Sequence, residues 1–228
     1  MSSGTGTAER LSRAGVLVPW ANTAVEAELH RVTGTAVTWH YSRLVPESRT
    51  TGLDGRFLTG LLAAVPGALA QLEALPLARA YLACTSAAFT YPDLARHARD
   101  ESRFQLVSAF DAITHALACL HADRVALLTP YPDEVTALEA EMLTEAGFSV
   151  TGAAGLGLGD GYGTVTPRQI TELARSVGSA VIGDADAVVL SCTGWPTLSL
   201  IPKLEHDLGR PVISSNLAIG RHALGKGA

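Results

Sequence analysis

Short apolar runs alternate with amphipathic segments along most of the chain. Residues 13–18 and 124–128 each become apolar after an initial arginine, a pattern typical of strands buried on both faces of a parallel sheet. The segments between such runs place apolar residues at helical spacing. This alternation predicts an α/β fold in which helices flank parallel strands.

The pattern also gives approximate bounds for the elements. The predicted strands span residues 13–18, 35–41, 79–83, 105–108, 124–128, 147–150, 185–191 and, with a loop, 210–216. The predicted helices span residues 24–32, 55–75, 91–99, 111–120, 134–146, 166–177, 197–208 and 217–224. Pro66 is expected to make the long second helix irregular.

The pattern begins again at Arg124, which indicates an internal duplication. In each half, one strand leads into a proline-containing loop and a later strand leads into a cysteine followed by threonine. The interval from Pro19 to Cys84 is 65 residues, and the interval from Pro130 to Cys192 is 62 residues. Because ligands bind at the carboxyl ends of parallel strands, both cysteine loops are expected to face one cleft.

The duplication predicts two pseudo-symmetric domains. Residues 1–12 are expected to form a disordered tail. Residues 13–118 together with residues 216–228 form the first α/β domain, and residues 119–215 form the second. The last helix is expected to cross back and pack on the first domain.

Composition narrows the classes of partner. The chain has 228 residues, 47% of them hydrophobic, and a formal net charge of -5, so it can bury a core without disulfides and offers no basic stripe for nucleic acid. No apolar run is long enough to span a membrane, and the amino terminus lacks the apolar segment of a signal peptide. We therefore expect a soluble, cytoplasmic protein with a small-molecule partner. A homodimer or higher homo-oligomer would be ordinary for such a chain.

Three cysteines without close pairing predict reduced thiols rather than a disulfide framework. Cys119 falls in an apolar helical segment and is expected to be a core residue. The seven histidines show no ligand spacing, so no metal site is expected. The glycine-rich residues 155–161 neither follow a clear strand nor open a helix, so we expect a flexible loop over the cleft rather than a dinucleotide site.

Five segments carry a more specific signal. They are VPWANT at residues 18–23, ACTS at 83–86, TPY at 129–131, SCTG at 191–194 and PVISSN at 211–216. In this order they resemble the motifs of the Asp/Glu racemase superfamily, and most closely those of maleate cis-trans isomerases and arylmalonate decarboxylases. The resemblance implies two Rossmann-like, flavodoxin-like domains, each with a mainly four-stranded parallel sheet, and chemistry without a metal or organic cofactor.

The resemblance also implies a site. Cys84 is similar in position to the family's nucleophile and Cys192 to the thiol that donates and recovers a proton. The residues expected to bind substrate are Pro19, Asn22, Thr85, Ser86, Tyr131, Thr193 and Gly194. Asn22 can also cap the first helix, and Asn216 is expected to support the site from behind. At least one thiol should have a pKa lowered by N–H groups at the strand ends, since a free thiol titrates near ~8.5.

The function implied is cofactor-independent cis-trans isomerisation of maleate or a related unsaturated dicarboxylic acid. Thiolate addition would give an enediolate, bond rotation would follow, and elimination would release the product. The alternatives are a two-thiol racemase or a decarboxylase acting next to a carboxylate, and a non-catalytic ligand-binding relative. Decarboxylases of this type have glycine where Cys84 stands, which argues against decarboxylation.

The chain departs from the isomerase pattern at two loops. Trp20 replaces a small residue, and it is expected to change the wall of the cleft. Asp160 stands near the position where isomerases tend to have asparagine, and it would repel a dianion. Tyr162 could donate a hydrogen bond instead. The substrate itself is therefore the least determined part of the prediction.

Overall fold

The computed structural model describes residues 12–49, 51–77, 79–100 and 102–226. Most of the predicted tail, residues 1–11, lies outside the described residues. Two four-stranded parallel sheets form the framework, with the strand orders β2-β1-β3-β4 and β6-β5-β7-β8. The identical order in the two halves confirms the predicted fold class. The boundaries between the two domains stay a prediction.

The strands are short and apolar. In the first sheet they are β1 (Ser12–Pro19), β2 (Val37–Leu44), β3 (Arg79–Leu82) and β4 (Gln105–Ser108). In the second they are β5 (Arg124–Thr129), β6 (Ser149–Gly155), β7 (Ala187–Leu190) and β8 (Val212–Ser214). The central strands β1, β3, β5 and β7 are almost entirely buried, because helices cover both faces of each sheet.

Eleven α-helices connect the strands within the described ranges. They are α1 (Ala24–Thr33), α2 (Gly55–Ala63), α3 (Val65–Ala70), α4 (Thr85–Thr90), α5 (Pro92–Asp100), α6 (Ala109–Cys119), α7 (Asp133–Glu145), α8 (Pro167–Ser176), α9 (Ser179–Asp184), α10 (Ile201–Leu208) and α11 (Ser215–Ala223). Capping side chains define several starts: Asp54 accepts from Phe57 N at 2.7 Å, and Ser108 and Asp111 form a reciprocal capping box.

The last helix joins the two halves. It follows β8 of the second sheet but packs against α1 and α6. Gly220 permits the close approach to α1, since a Cβ at this position would lie 2.5 Å from Val32 Cγ1. The central core is therefore continuous between the two sheets, while a second cluster of buried residues lies under α2 and α3.

Several elements differ from the sequence prediction. The predicted helix 55–75 is two helices, α2 and α3, which meet at Ala64 next to Pro66. Strand β6 extends to Gly155, well beyond the predicted residue 150. The short helices α4 and α9 were not predicted, because six residues are too few for a clear helical period. Within the described residues no helix is both long enough and apolar enough to cross a membrane.

Candidate active site

A cavity of about 460 Å³ lies where the carboxyl ends of the two sheets face each other. The two cysteine loops and the two proline loops contribute to it. All the predicted site residues line this cavity, namely Pro19, Asn22, Cys84, Thr85, Ser86, Tyr131, Cys192, Thr193 and Gly194. The tertiary structure thus brings together residues that are more than a hundred positions apart in sequence. Their chemical roles stay predictions.

Cys84 lies two residues after the end of strand β3 and occupies the position before the first residue of α4. Its side chain is 6% exposed, and its Sγ lies 3.7 Å from Ser86 Oγ. Burial raises the pKa of the Cys84 thiol, although the Ala87 N–H and the Ser86 hydroxyl act in the opposite direction. Burial therefore favours the protonated form of this thiol.

Cys192 follows β7 and is tied to the other cysteine loop through hydroxyl groups. Its backbone N–H donates to Ser215 Oγ at 3.0 Å, and Ser215 Oγ lies 3.1 Å from Thr85 Oγ1. Thr193 Oγ1 donates to the carbonyl of Ala83 at 2.7 Å. Because each link joins neighbours of the two cysteines, the positions of the two thiols are coupled across the domain interface.

Tyr131 lies directly beside Cys192. The pKa of this buried phenol is raised well above its ordinary value, first by burial and then by the neighbouring Cys192 and Glu139. Its hydroxyl lowers the pKa of the neighbouring Cys192 thiol, and its ring packs edge-on against Tyr162 with centroids 5.6 Å apart. Gly155 makes room for this loop, since a Cβ there would collide with the Tyr131 carbonyl oxygen.

The Cys192 thiol is also harder to ionise than a free thiol. Burial raises its pKa to about 12, against the effects of the Tyr131 hydroxyl and the Gly194 N–H. The expectation that at least one thiol would have a lowered pKa is therefore wrong, although the N–H groups of Ala87 and Gly194 do act in the lowering direction. Desolvation outweighs the few donors, and each thiolate would raise the pKa of the other. A first negative charge on the pair is therefore disfavoured by burial, and a second one is disfavoured further by the first.

Asn22 serves two structural purposes in the proline loop. Its Oδ1 accepts from the N–H groups of Ala24 and Val25 at 2.9 and 3.2 Å, which caps α1. Its Nδ2 donates to Thr193 Oγ1 at 3.2 Å. The neutral amide thus joins the first domain to the second cysteine loop at the cavity wall.

Two loops from different domains form the outer part of the cavity. Leu53 N donates to the Gly159 carbonyl at 2.7 Å, and Thr51 Oγ1 donates to Asp160 Oδ2 at 3.4 Å. Since Thr51 and Asp160 are exposed whereas both cysteines are buried, these loops lie on the solvent side of the thiols. We call Thr51, Leu53 and Asp160 the rim. The glycine-rich segment does lie over the cleft, but its backbone is hydrogen-bonded.

Two expectations about the loops are wrong. Trp20 does not line the cavity; it packs against the buried cluster under α2 and α3. Tyr162 lines the cavity, but its hydroxyl donates within its own loop, to the Gly159 carbonyl at 3.2 Å. Asp160 is the only charged side chain among the described residues that line the cavity.

Cys119 is exposed, not part of the core as expected. It lies at the end of α6, where its Sγ is 3.8 Å from His115 Nε2. Among the described residues, no group of three or more His, Cys, Asp or Glu side chains could hold a metal ion.

Sequence patterns missed two buried carboxyl groups behind the cavity. Glu28 on α1 is 4% exposed and accepts from Leu198 N at 2.6 Å and from Asn216 Nδ2 at 2.8 Å. Asn216 Nδ2 also donates to the Thr193 carbonyl at 3.0 Å. Burial raises the pKa of Glu28 against these hydrogen bonds. The sequence did contain a signal for this bridge between the domains: the charged residue Glu28 stands directly beside Leu29, which is buried.

Glu139 on α7 is the second buried carboxyl group. It is fully buried, Ser191 donates a hydrogen bond to its Oε1, and its Oε2 has no partner among the described residues. Burial raises its pKa from 4.5 to about 8. Between these two pH values the folded state keeps a proton that the unfolded state has lost. The free energy of unfolding must therefore fall as pH rises through this window.

Replacing Glu139 with glutamine should remove this pH dependence. The wild-type protein is expected to lose roughly 1–3 kcal/mol of stability between pH 5 and pH 9 from this group. The Glu139→Gln variant should keep that stability, because a buried amide does not titrate. Thermal unfolding measured across this range tests the difference. Glu141→Gln, an exposed change on the same helix, should retain the wild-type dependence; equal slopes for all three proteins would contradict the assignment.

Comparison with known proteins places the chain in a family. A family model described as arylmalonate decarboxylase matches residues 86–226, more than half of the chain. The chain belongs to the arylmalonate decarboxylase family. This confirms the resemblance to the Asp/Glu racemase superfamily. The matched range contains Cys192 and begins two residues after Cys84.

Curated relatives of this family member include both kinds of enzyme. An arylmalonate decarboxylase from Bordetella bronchiseptica is 36% identical over 47% of this chain and 45% of the relative. The chain spans just under half the length of the first curated relatives it matches. A maleate isomerase from Nocardia farcinica is 28% identical over 91% of this chain and 87% of the relative.

A solved structure shares the whole fold. A cysteine-to-serine mutant of the Nocardia farcinica maleate cis-trans isomerase, with a covalently bound succinylcysteine intermediate, superimposes with a TM-score of 0.81. The match covers 94% of this chain and 93% of the other, at 23% identity. At that level of identity the likeness establishes the two-domain fold alone.

Proposed function

We propose that the protein is a cofactor-independent cis-trans isomerase of maleate or a related unsaturated dicarboxylic acid. The observation that carries the proposal is that Cys84 and Cys192, one from each structural repeat, line a single cavity with hydroxyl and amide donors. The covalent succinylcysteine in the Nocardia isomerase also supports it, since that species is what thiol addition to maleate produces.

The reaction begins at Cys84, whose thiol first gives its proton to solvent water; because burial raises the pKa of this thiol, the ionised form is a minor species. Its thiolate attacks one alkene carbon, so a C–S bond forms as the π bond breaks and its electron pair moves into the adjacent carboxylate as an enediolate. The C–C bond is now single and rotates. Hydrogen-bond donors around the cavity, including the Ser86 hydroxyl and the Gly194 N–H, would stabilise the enediolate oxygens.

Cys192 is suited to the proton transfer. With a pKa near 12 it stays protonated at neutral pH, so it can protonate the enediolate carbon to give the succinyl thioether. The Cys192 thiolate, hydrogen-bonded by Tyr131, then takes that proton back. Elimination expels the Cys84 thiolate and yields the trans acid. Atoms and charge balance without any co-reactant.

The direct test is incubation of the purified protein with maleate. Proton NMR should show the vinyl signal of maleate replaced by that of fumarate, and the rate should be unchanged by a chelator. Absence of turnover for maleate and for a panel of other unsaturated diacids, by a folded protein, would overturn the proposal.

The second candidate is racemisation next to a carboxylate, or decarboxylation. The family match and the presence of two thiols in one cavity favour it, because a racemase needs one thiol as acid and the other as base. Cys84 argues against decarboxylation, since decarboxylases of this type have glycine there. Exchange of an α-proton of a chiral acid in D2O without alkene isomerisation would establish racemase chemistry instead.

A further inference from the structure

The cavity has a chemically uneven lining. Hydrogen-bond donors surround the thiols, among them the buried hydroxyl groups of Ser86 and Tyr131 and the half-buried amide of Asn22. The rim, formed by Thr51, Leu53 and Asp160, instead presents an alkyl group and a carboxylate. A ligand with one carboxylate near the thiols would therefore extend its other end towards an acceptor.

No cation balances Asp160 within the cavity. Its described lining residues include no lysine, arginine or histidine. Arg43 donates to the Asn22 carbonyl at 2.7 Å, but its other guanidinium nitrogen is engaged by both oxygens of Glu26 at 2.7 Å, and it does not line the cavity. A second substrate carboxylate would lie beside Asp160 with only neutral groups around it, an arrangement that costs free energy.

We propose that this site is built for an unsaturated monocarboxylic acid whose far end carries a neutral hydrogen-bond donor, such as the monoamide of a cis-enedioic acid. The inference rests on the proposed function and narrows its substrate. Asp160 is then a specificity-determining residue: its carboxylate accepts an N–H from the substrate amide and repels a second carboxylate.

The same bond changes apply to such a substrate. Cys84 adds to the alkene carbon that bears the amide, and the electron pair moves into the carboxylate next to the thiols. Rotation and elimination of the thiolate then give the trans monoamide. The amide remains intact and supplies no atom to the reaction, so its contribution is recognition at the rim.

The test compares maleate with maleamate, its monoamide, for the wild-type protein and the Asp160→Asn variant. Wild type is expected to show a kcat/KM at least roughly tenfold higher for maleamate, which corresponds to about 1.4 kcal/mol, because the Asp160 carboxylate repels the second carboxylate of maleate. In the variant this ratio should fall at least about tenfold, mainly through faster turnover of maleate. N,N-dimethylmaleamate, which is neutral but has no N–H donor, should react more slowly than maleamate with wild type, because it cannot donate a hydrogen bond to the Asp160 carboxylate.

Asp184→Asn is the matched control. It removes one negative charge from an exposed position outside the cavity, so it should leave the substrate ratio unchanged. Maleate preferred by wild type, with a ratio that Asp160→Asn does not move, would overturn the inference while leaving isomerisation intact.

Binding measurements with saturated analogues of the substrates test the role of Asp160 independently of the proposed isomerase activity. If neither substrate turns over, the proposed function fails, but calorimetry with succinamate and succinate still tests the rim. Tighter binding of succinamate by wild type, lost in Asp160→Asn, would support the specificity assignment. Equal binding of both ligands by both proteins would refute it.

Discussion

The Cys84→Ser variant is expected to lose maleate isomerisation by roughly 10⁴-fold or more in kcat, as observed when other enzymes lose their nucleophile. A serine hydroxyl in this buried position is almost never ionised, and an alkoxide adds to an activated alkene less readily than a thiolate. Proton NMR of the vinyl region measures the loss directly.

Cys119→Ser provides the control for this experiment. Cys119 is the exposed thiol at the end of α6, so its replacement should leave the rate unchanged and exclude an effect of general thiol loss. The thermal midpoint of Cys84→Ser should fall only slightly, because the change is nearly isosteric. Retention of isomerase activity by a folded Cys84→Ser protein would show that the nucleophile lies elsewhere.

The Cys192→Ser variant should separate the addition of Cys84 to the alkene from the later removal of the proton by Cys192. Its turnover is expected to fall by roughly 10³-fold or more, while Cys84 can still add to the alkene. Water can protonate the resulting enediolate, but no base remains beside Tyr131 to remove that proton. The thioether should therefore accumulate, and intact-protein mass spectrometry should show a gain equal to one molecule of maleic acid.

Peptide mapping assigns the adduct to a thiol. The modification should lie on Cys84 and be absent from the double variant Cys84→Ser/Cys192→Ser. An adduct on Cys192 in the single Cys84→Ser variant, together with none on Cys84 in Cys192→Ser, would reverse the two roles. Equal loss of turnover in both variants without any adduct would instead favour the opposed acid and base of a racemase.

Both pKa directions follow from the same physical arrangement. A cavity that excludes water disfavours a thiolate, and the shared cavity makes a second thiolate costlier than the first. This is why the two cysteines are suited to different tasks in spite of their matched sequence contexts. Tyr131 distinguishes the two thiols further, because its hydroxyl acts on the pKa of Cys192 and is not among the causes that shift the pKa of Cys84.

The buried contacts behind the site could not be predicted from local patterns. Ser215 and Thr85 are 130 positions apart, yet their hydroxyl groups meet. Glu28 reaches Asn216 across 188 positions. Such contacts depend on how α11 returns to the first domain, and hydrophobic periodicity reports which face of a helix is buried but not which element covers it.

The sequence by itself determined the α/β class, the duplication and the set of residues at the strand ends. These features depend on regularities that can be read along the chain, namely apolar runs of strand length and repeated motifs at matching intervals. It also pointed to Asp160 as a departure from the isomerase pattern.

Only the tertiary structure decided which of those residues share a cavity environment and what that environment does to them. In the structure, Trp20 lies outside the cavity wall and the Tyr162 hydroxyl donates within its own loop. Asp160 is the one charged group among the described lining residues. The pKa values of both thiols are raised in the structure, whereas the sequence led us to expect a lowered pKa for at least one of them. The physical reason is that desolvation and side-chain direction depend on atoms contributed by distant segments, which no local pattern encodes.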